Sequence, residues 1–208
     1  MSSIAVLGAG SWGTTLADLL ARKGHEVRIW AHEAEVVESI NVVHENTVFL
    51  PGCPLAGELR AVSSATEAVS GAAVVLSVAP SHVFRQVVTQ ARRGIAAGAL
   101  VVSATKGIEP GSLLLMSQVL AELLPEHPIA ALSGPSFALE VYQGQPTAVV
   151  AAARNAETAA AVQEVFATPR FRVYSNSDSI GVELAGAVKN VIAIAAGILE
   201  GLGLGNKP

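Results

Sequence analysis

Residues 8–13 read Gly8-Ala9-Gly10-Ser11-Trp12-Gly13 and follow directly on the apolar run Ile4–Leu7. Three glycines at this spacing, between a strand and a helix, restrict the fold more than any other feature of the chain. Gly8 permits a tight turn, Gly10 lets the main chain approach a pyrophosphate, and Gly13 allows the next helix to pack closely on the strand. That helix presents unpaired N–H groups and the positive end of its dipole to an anion. The spacing alone recurs by chance. Its place in a strand–turn–helix reads as a dinucleotide-binding loop, with a purely structural tight turn as the alternative.

The rest of the chain follows the same plan. Short apolar runs predict strands at Ile4–Leu7, Glu26–Trp30, Ala73–Val78, Leu100–Ser103, Ile129–Leu132, Ala148–Ala152 and Arg172–Tyr174. Helical segments are expected over Thr14–Arg22, Glu33–Ile40, Ser81–Arg93, Ser112–Leu124, Ala156–Phe166 and Ser179–Leu202. Such alternation specifies βαβ units. Only 14% of the 208 residues are charged, against a usual share of about a quarter. That scarcity suits a sheet covered on both faces. The expected class is α/β, a Rossmann-type doubly wound, mostly parallel sheet over residues 1–176.

Composition changes near Asn176-Ser177-Asp178-Ser179, after which one long Ala/Gly/Ile-rich helix carries Glu183, Lys189, Asn190 and Glu200. A helix apolar almost all round must be covered. Residues 177–208 are therefore expected to open a truncated all-α second domain, a helical substrate or dimerisation domain left incomplete; a simple buried core helix is the alternative. Uncovered, such a helix would seek an apolar partner, so a homodimer or aggregation is expected.

The net charge of −4 provides no electrostatic footprint for nucleic acid or an anionic membrane. Uncharged runs reach 17 residues at most, short of the roughly 20 that a transmembrane helix wants, so no transmembrane segment is expected. The start lacks the basic region of a signal peptide. The one cysteine, Cys53, forms no internal disulfide and excludes Cys-rich metal sites, so no metal is expected. A cytoplasmic protein is the default.

Ligands in open parallel sheets bind beyond the carboxyl ends of the strands. At the tip of the second strand stands Ala31-His32-Glu33, where an acid that binds ribose usually sits. His32 reads as an adenosine-side contact or a solvated loop residue, and Glu33 as an acid in the first turn of a helix. The cofactor, NAD or NADP, stays open. Further strand ends carry Pro80-Ser81-His82, Thr105-Lys106-Gly107 and Ser133-Gly134-Pro135-Ser136. Lys106 can hold a phosphate or polarise an oxygen. Ser136 serves a ligand, caps the following helix, or both. His82 is expected to open a helix without a catalytic task. In the long helix, Asn190 lies about 20° from Glu183 in projection and Lys189 about 100° away. Lys189 is either a desolvated proton-transfer group or a lysine snorkelling at the edge of a core.

Six segments in order then carry a resemblance: Gly8–Thr14, Val78–Phe84, Ala104–Gly107, Ser133–Ala138, Arg172–Ser175 and Gly186–Ala193. Together they resemble the bacterial NAD(P)-dependent glycerol-3-phosphate dehydrogenases, over the whole 208 residues. The resemblance implies reversible hydride transfer between NAD(P)H and dihydroxyacetone phosphate, giving sn-glycerol 3-phosphate for phospholipid synthesis. It implies that Ser11, Trp12, His32, Lys106 and Ala138 contact the dinucleotide beside Gly8, Gly10 and Gly13. By the same resemblance Lys106, Gly134, Ser136 and Lys189 contact substrate, Lys189 is the catalytic proton donor or acceptor, and Asn190 bonds Lys189 or the substrate. Members of that family continue through a further domain with an Arg-Asn segment that holds the substrate phosphate, and nothing in this chain matches it. A chain that binds dinucleotide but turns over poorly is expected. The alternatives are a ketopantoate-type reductase of another keto or hydroxy acid, a non-catalytic dinucleotide module, and a methyltransferase, which would leave both lysines without a task.

Overall fold

A computed structural model describes residues 1–204; the last four residues of the expected second segment, 205–208, lie outside the described residues. In chain order the elements are β1 (Ser3–Leu7), α1 (Ser11–Arg22), β2 (Glu26–Trp30), α2 (Ala34–Val43), β3 (Glu45–Asn46), β4 (Leu50–Pro54), β5 (Arg60–Val62) and α3 (Ala65–Val69). They continue with β6 (Val74–Ser77), α4 (Phe84–Ala91), a 3-10 turn (Arg92–Gly94), β7 (Leu100–Ser103), α5 (Met116–Leu123), β8 (Ile129–Ser133) and α6 (Ala138–Tyr142). The last four are β9 (Thr147–Ala152), α7 (Ala156–Phe166), β10 (Phe171–Asn176) and α8 (Ser179–Gly201).

Eight strands form one sheet in the order β10-β9-β8-β7-β6-β1-β2-β5, and β3 and β4 form a separate hairpin. Every pair from β5 to β8 is parallel; β9 runs antiparallel to β8, and β10 follows β9 in parallel. The Rossmann-type expectation is met. Because a strand turns alternate side chains to opposite faces, β1 feeds two cores. Ile4 and Val6 join Leu16, Leu20, Ile40, Val162 and Phe166 of α1, α2 and α7. Ala5 and Leu7 join Ala68, Val69 and Val87 of α3 and α4. From β1 the chain goes to β2 on one side and later returns to β6 on the other, which leaves a crevice at the carboxyl ends of β1 and β6.

Some boundaries differ from expectation. Helix α1 begins at Ser11, not Thr14, because Gly10 already stands as its N-cap in an extended conformation. Helix α5 begins only at Met116, since Leu113 takes a left-handed φ of 60° in the loop before it. The β3–β4 hairpin, β5 and α3 were not expected, and α6 was expected only as the helix that Ser136 would cap. They are too short to show a period, and β4 contains Pro51 and Gly52.

Helix α8 has 23 residues and an 18-residue window of mean hydropathy 1.7, so by length and composition it is long and apolar enough to cross a membrane. Counting uncharged runs finds no such segment, because Glu183, Lys189 and Glu200 interrupt them. Its apolar side chains, among them Ile180, Val191, Ile192, Ile194 and Ile198, are exposed.

Candidate functional site

The glycine turn is held by sterics. At Gly8 φ is +117°, and a Cβ there would lie 3.0 Å from the Ala79 nitrogen. A Cβ on Gly13 would fall on the Gly8 carbonyl oxygen, so strand and helix approach as only glycine permits. A Cβ on Gly10 would meet nothing within 4 Å. Gly10 caps α1 without a side-chain bond, and the first helical N–H to find a carbonyl is that of Thr14, on Gly10 (2.9 Å). The N–H groups of Ser11, Trp12 and Gly13 are thus left for a ligand.

A buried side chain ties this turn to the β3–β4 hairpin. Asn46, fully buried, donates from Nδ2 to the Ala9 carbonyl (2.8 Å) and to Thr14 Oγ1 (2.8 Å), and its Oδ1 accepts from the Phe49 N–H (3.0 Å). Thr14 Oγ1 donates in turn to the Ala9 carbonyl (3.2 Å). Ser11 Oγ donates to the Phe49 carbonyl (2.7 Å). The cleft beyond, of about 470 Å³, is walled by Gly8, Ala9 and Gly10, by Trp30, His32 and Glu33 at the tip of β2, by Phe49, and by Val78–Pro80 with Val83 and the α4 residues Gln86, Val87 and Gln90. That size and its mixed lining suit a small-molecule site.

A second cluster stands beside it. Thr105 Oγ1 donates to the Ala79 carbonyl (2.8 Å), joining the end of β7 to the cleft wall. The next residue, Lys106, donates from Nζ to the Gly134 carbonyl (2.9 Å), which also accepts from Ser136 Oγ (3.3 Å). A Cβ on Gly134 would lie 2.9 Å from Val149 Cα, so β9 passes too close for a larger residue. Burial lowers the pKa of Lys106, and the positive charge of Lys189 lowers it further. Lys189 itself donates from Nζ to Asn190 Oδ1 (2.9 Å).

Helix α8 reaches this cluster by two contacts on one face. Glu183, 6% exposed, accepts from the Ser117 N–H (2.9 Å) and from Ser117 Oγ at the start of α5. Burial raises its pKa, and the two Ser117 bonds oppose that rise. One turn on, a Cβ at Gly186 would stand 2.7 Å from Ser133 Oγ and 3.6 Å from Lys106 Cγ. The helix therefore lies against the end of β8, with Lys189 one turn beyond.

Residues 3–159 match the N-terminal region of NAD-dependent glycerol-3-phosphate dehydrogenase, and residues 178–207 match its C-terminal region. The chain belongs to this dehydrogenase family. Its relatives include glycerol-3-phosphate dehydrogenase (NAD(P)+) of Citrifermentans bemidjiense, 53% identical over 206 residues, which cover 98% of this chain and 62% of that protein. The namesake from Bacillus thuringiensis is 47% identical over 209 residues, again covering 62% of that protein. The chain thus spans about 62% of the length of these curated relatives. The crystal structure of glycerol-3-phosphate dehydrogenase from Coxiella burnetii superposes with a TM-score of 0.91 at 43% identity, over 99% of this chain and 63% of that one. A ketopantoate reductase from Ralstonia eutropha shares the fold (TM-score 0.64) at 22% identity.

Within this glycerol-3-phosphate dehydrogenase framework, the expected residues divide into two groups. Gly8, Gly10 and His32 line the cleft, and Lys106, Gly134, Ser136 and the α8 pair Lys189–Asn190 gather at the ends of β7 and β8. Three more of the expected residues have partners within the chain. Ser11 spends its hydroxyl on Phe49, Trp12 packs its ring 6.4 Å from that of Phe171, and Ala138 accepts from Thr15 Oγ1 (3.3 Å) where α6 meets α1. Ser136 does not cap α6: the N-cap is Phe137, and the Ser136 hydroxyl turns back to Gly134. Glu33 is not in the first turn of α2 but at its N-cap, where its side chain makes no capping bond. His82 is exposed and stands before α4, outside the cleft lining. Sequence reasoning missed Asn46 and Phe49. The only signal for them was a polar residue and an aromatic a few positions before Pro51-Gly52.

Proposed function

We propose that the chain is the dinucleotide-binding part, with the first substrate-binding helix, of an enzyme that interconverts dihydroxyacetone phosphate and sn-glycerol 3-phosphate with NAD or NADP. The observation that carries this is that Thr105, the residue before Lys106, bonds the Ala79 carbonyl in the wall of a cleft floored by the glycine turn, while Gly186 of α8 packs on Lys106 one helical turn before Lys189. Residues 1–176 are the dinucleotide domain in this reading. Residues 177–208 open the helical substrate domain, whose remaining helices would cover the exposed apolar side of α8.

The dinucleotide fits the residues present. Gly10 leaves room for a pyrophosphate, and the free N–H groups of Ser11, Trp12 and Gly13 face it with the dipole of α1 behind them. When bound, the nicotinamide supplies or accepts the hydride. As charge builds on the carbonyl oxygen of the ketone, the Lys189 ammonium stabilises it and delivers the proton, and in the reverse direction the Lys189 amine takes the hydroxyl proton. Asn190 holds Lys189 in place through its Oδ1. Lys106, fixed on the Gly134 carbonyl, adds a second cation for the anionic substrate, and Ser136 orients its hydroxyl from the same turn.

Lys189→Ala in the full-length enzyme is the test. Ketone-dependent oxidation of NADH or NADPH should fall by roughly the 100-fold to 10,000-fold typical of a lost acid–base group, with dinucleotide affinity unchanged. A mutant that keeps near wild-type turnover would remove the role assigned to Lys189. A wild type that binds dinucleotide but ignores dihydroxyacetone phosphate would favour the keto-acid reductase reading.

A further inference from the structure

We propose that the cleft selects a dinucleotide with a free 2′-hydroxyl, NAD(H), over one carrying a 2′-phosphate, and that Glu33 is the residue that decides it. This rests on the reading of the cleft as a nicotinamide dinucleotide site and deepens it.

The placement follows from the sheet. β1 and β2 pair with Leu7 opposite Trp30, and the Gly8 N–H donates to the Trp30 carbonyl (3.1 Å). The glycine turn and the Ala31-His32-Glu33 tip therefore leave the sheet at one level, side by side. A nucleotide whose pyrophosphate lies on the glycine turn brings its adenosine ribose to the β2 tip. Glu33 lines the cleft there, about 20 residues beyond the last glycine, the separation at which a ribose-binding acid is found in such folds.

The Glu33 carboxylate is available for that task. Its residue caps α2, yet the side chain makes no capping bond, and among the described residues it takes part in no ion pair. A carboxylate only accepts hydrogen bonds, so it matches the two donors of a ribose diol and opposes a phosphate dianion at the same place. The surroundings offer nothing to reverse this preference. Of the 14 residues lining the cleft, none is lysine or arginine, and Glu33 alone carries a full charge when histidine is neutral. The arginines of the neighbouring strands are committed to main-chain carbonyls. Arg28 donates to those of Glu67 and Ser70, and Arg60 to those of Gly57 and Leu59. The ring of His32 stands 6.3 Å from that of Trp30 at the same tip.

The experiment is fluorescence titration of the protein with NADH and with NADPH in the same buffer. The wild type should bind NADH at least roughly tenfold more tightly than NADPH. Glu33→Gln keeps the size and loses the charge, and should narrow that ratio to about threefold or less, with Glu33→Arg inverting it. Both changes are at a half-exposed position without a partner, so the fold should survive them, which circular dichroism checks. A wild type that binds NADPH as tightly as NADH, or a ratio that Glu33→Gln leaves unchanged, overturns the assignment while the dinucleotide reading stands. A protein that binds neither cofactor overturns both.

Discussion

The most exposed consequence of the site architecture concerns Asn46. Its amide holds the glycine turn, the first turn of α1 and the β3–β4 hairpin at once, and all three of its bonds are 2.8–3.0 Å long. Asn46→Ala removes them together. The Ala9 carbonyl keeps the Thr14 hydroxyl as a donor (3.2 Å), whereas the Phe49 N–H is left without its acceptor. With each of the three lost bonds at about 0.5–1.5 kcal/mol net, and the Phe49 N–H at an exposed residue open to water, the loss comes to roughly 1.5–4.5 kcal/mol. Against a total stability of about 5–15 kcal/mol the variant stays folded at room temperature, and its melting point should drop by roughly 5–15 °C. Asn46→Asp has almost the same shape and sharpens the test. It loses both donors and directs an anionic oxygen at the Ala9 carbonyl. Burial would raise the folded carboxyl above its unfolded value of about 3.9, so the variant is relatively stable where it is protonated and loses stability as pH climbs from that value through the folded one. Thermal melts by circular dichroism at about pH 5 and pH 8 read both effects. An alanine variant that melts within about 2 °C of wild type would refute the clamp, as would an aspartate variant no worse than alanine at pH 8.

Two other perturbations test how α8 is seated. The raised pKa of Glu183, caused by burial, means that its contribution to stability diminishes as pH rises from the unfolded value of about 4.3 through the folded one. Glu183→Gln retains an acceptor for the Ser117 N–H and cannot ionise, so the variant should gain on wild type steadily across that window; parallel stability–pH curves from denaturant titrations would contradict the burial argument. Gly186→Ala places a methyl 2.7 Å from Ser133 Oγ and should cost about 1–3 kcal/mol by overpacking. Ser133→Ala in the same chain removes the obstructing atom, leaves Ser133 Cβ at an ordinary 3.9 Å, and should restore most of the loss in a double-mutant cycle.

What could be read from the residues was what local chemistry decides. Ile4–Leu7 followed by three spaced glycines has few folded solutions, and the short runs at Glu26–Trp30 and Leu100–Ser103 became strands with those bounds. Lys106 was legible because a lysine closes an apolar strand end. The gathering of Lys106, Gly134 and Ser136 around one carbonyl was not, since it depends on β7 and β8 pairing in a particular register. Asn46 was invisible for a related reason. Its partners in the glycine turn and α1, Ala9 and Thr14, lie 37 and 32 residues away, and a two-residue strand has no period to announce it. Glu33 was read as a dipole-stabilised acid because sequence could not show which side of the N-cap it would occupy; one residue of boundary moved it from helix surface to cleft wall.

The reversal of β9 gives α8 a duty as a measuring rod. Because β9 and β10 run against β8, the chain leaves the sheet low, and Ser179 and Ile180 share a cavity with Pro128 and Ile129 at the start of β8. From there the helix must climb the sheet to meet Ser133 at Gly186, and the distance from the Glu183 anchor to Lys189 is counted in helical steps, about 9 Å at 1.5 Å per residue. Adding or deleting one residue in that interval changes the height by only about 1.5 Å but swings the lysine by about 100° around the helix axis. Substitutions along the outer face of this segment leave the gauge intact, whereas its length admits no change short of a whole turn.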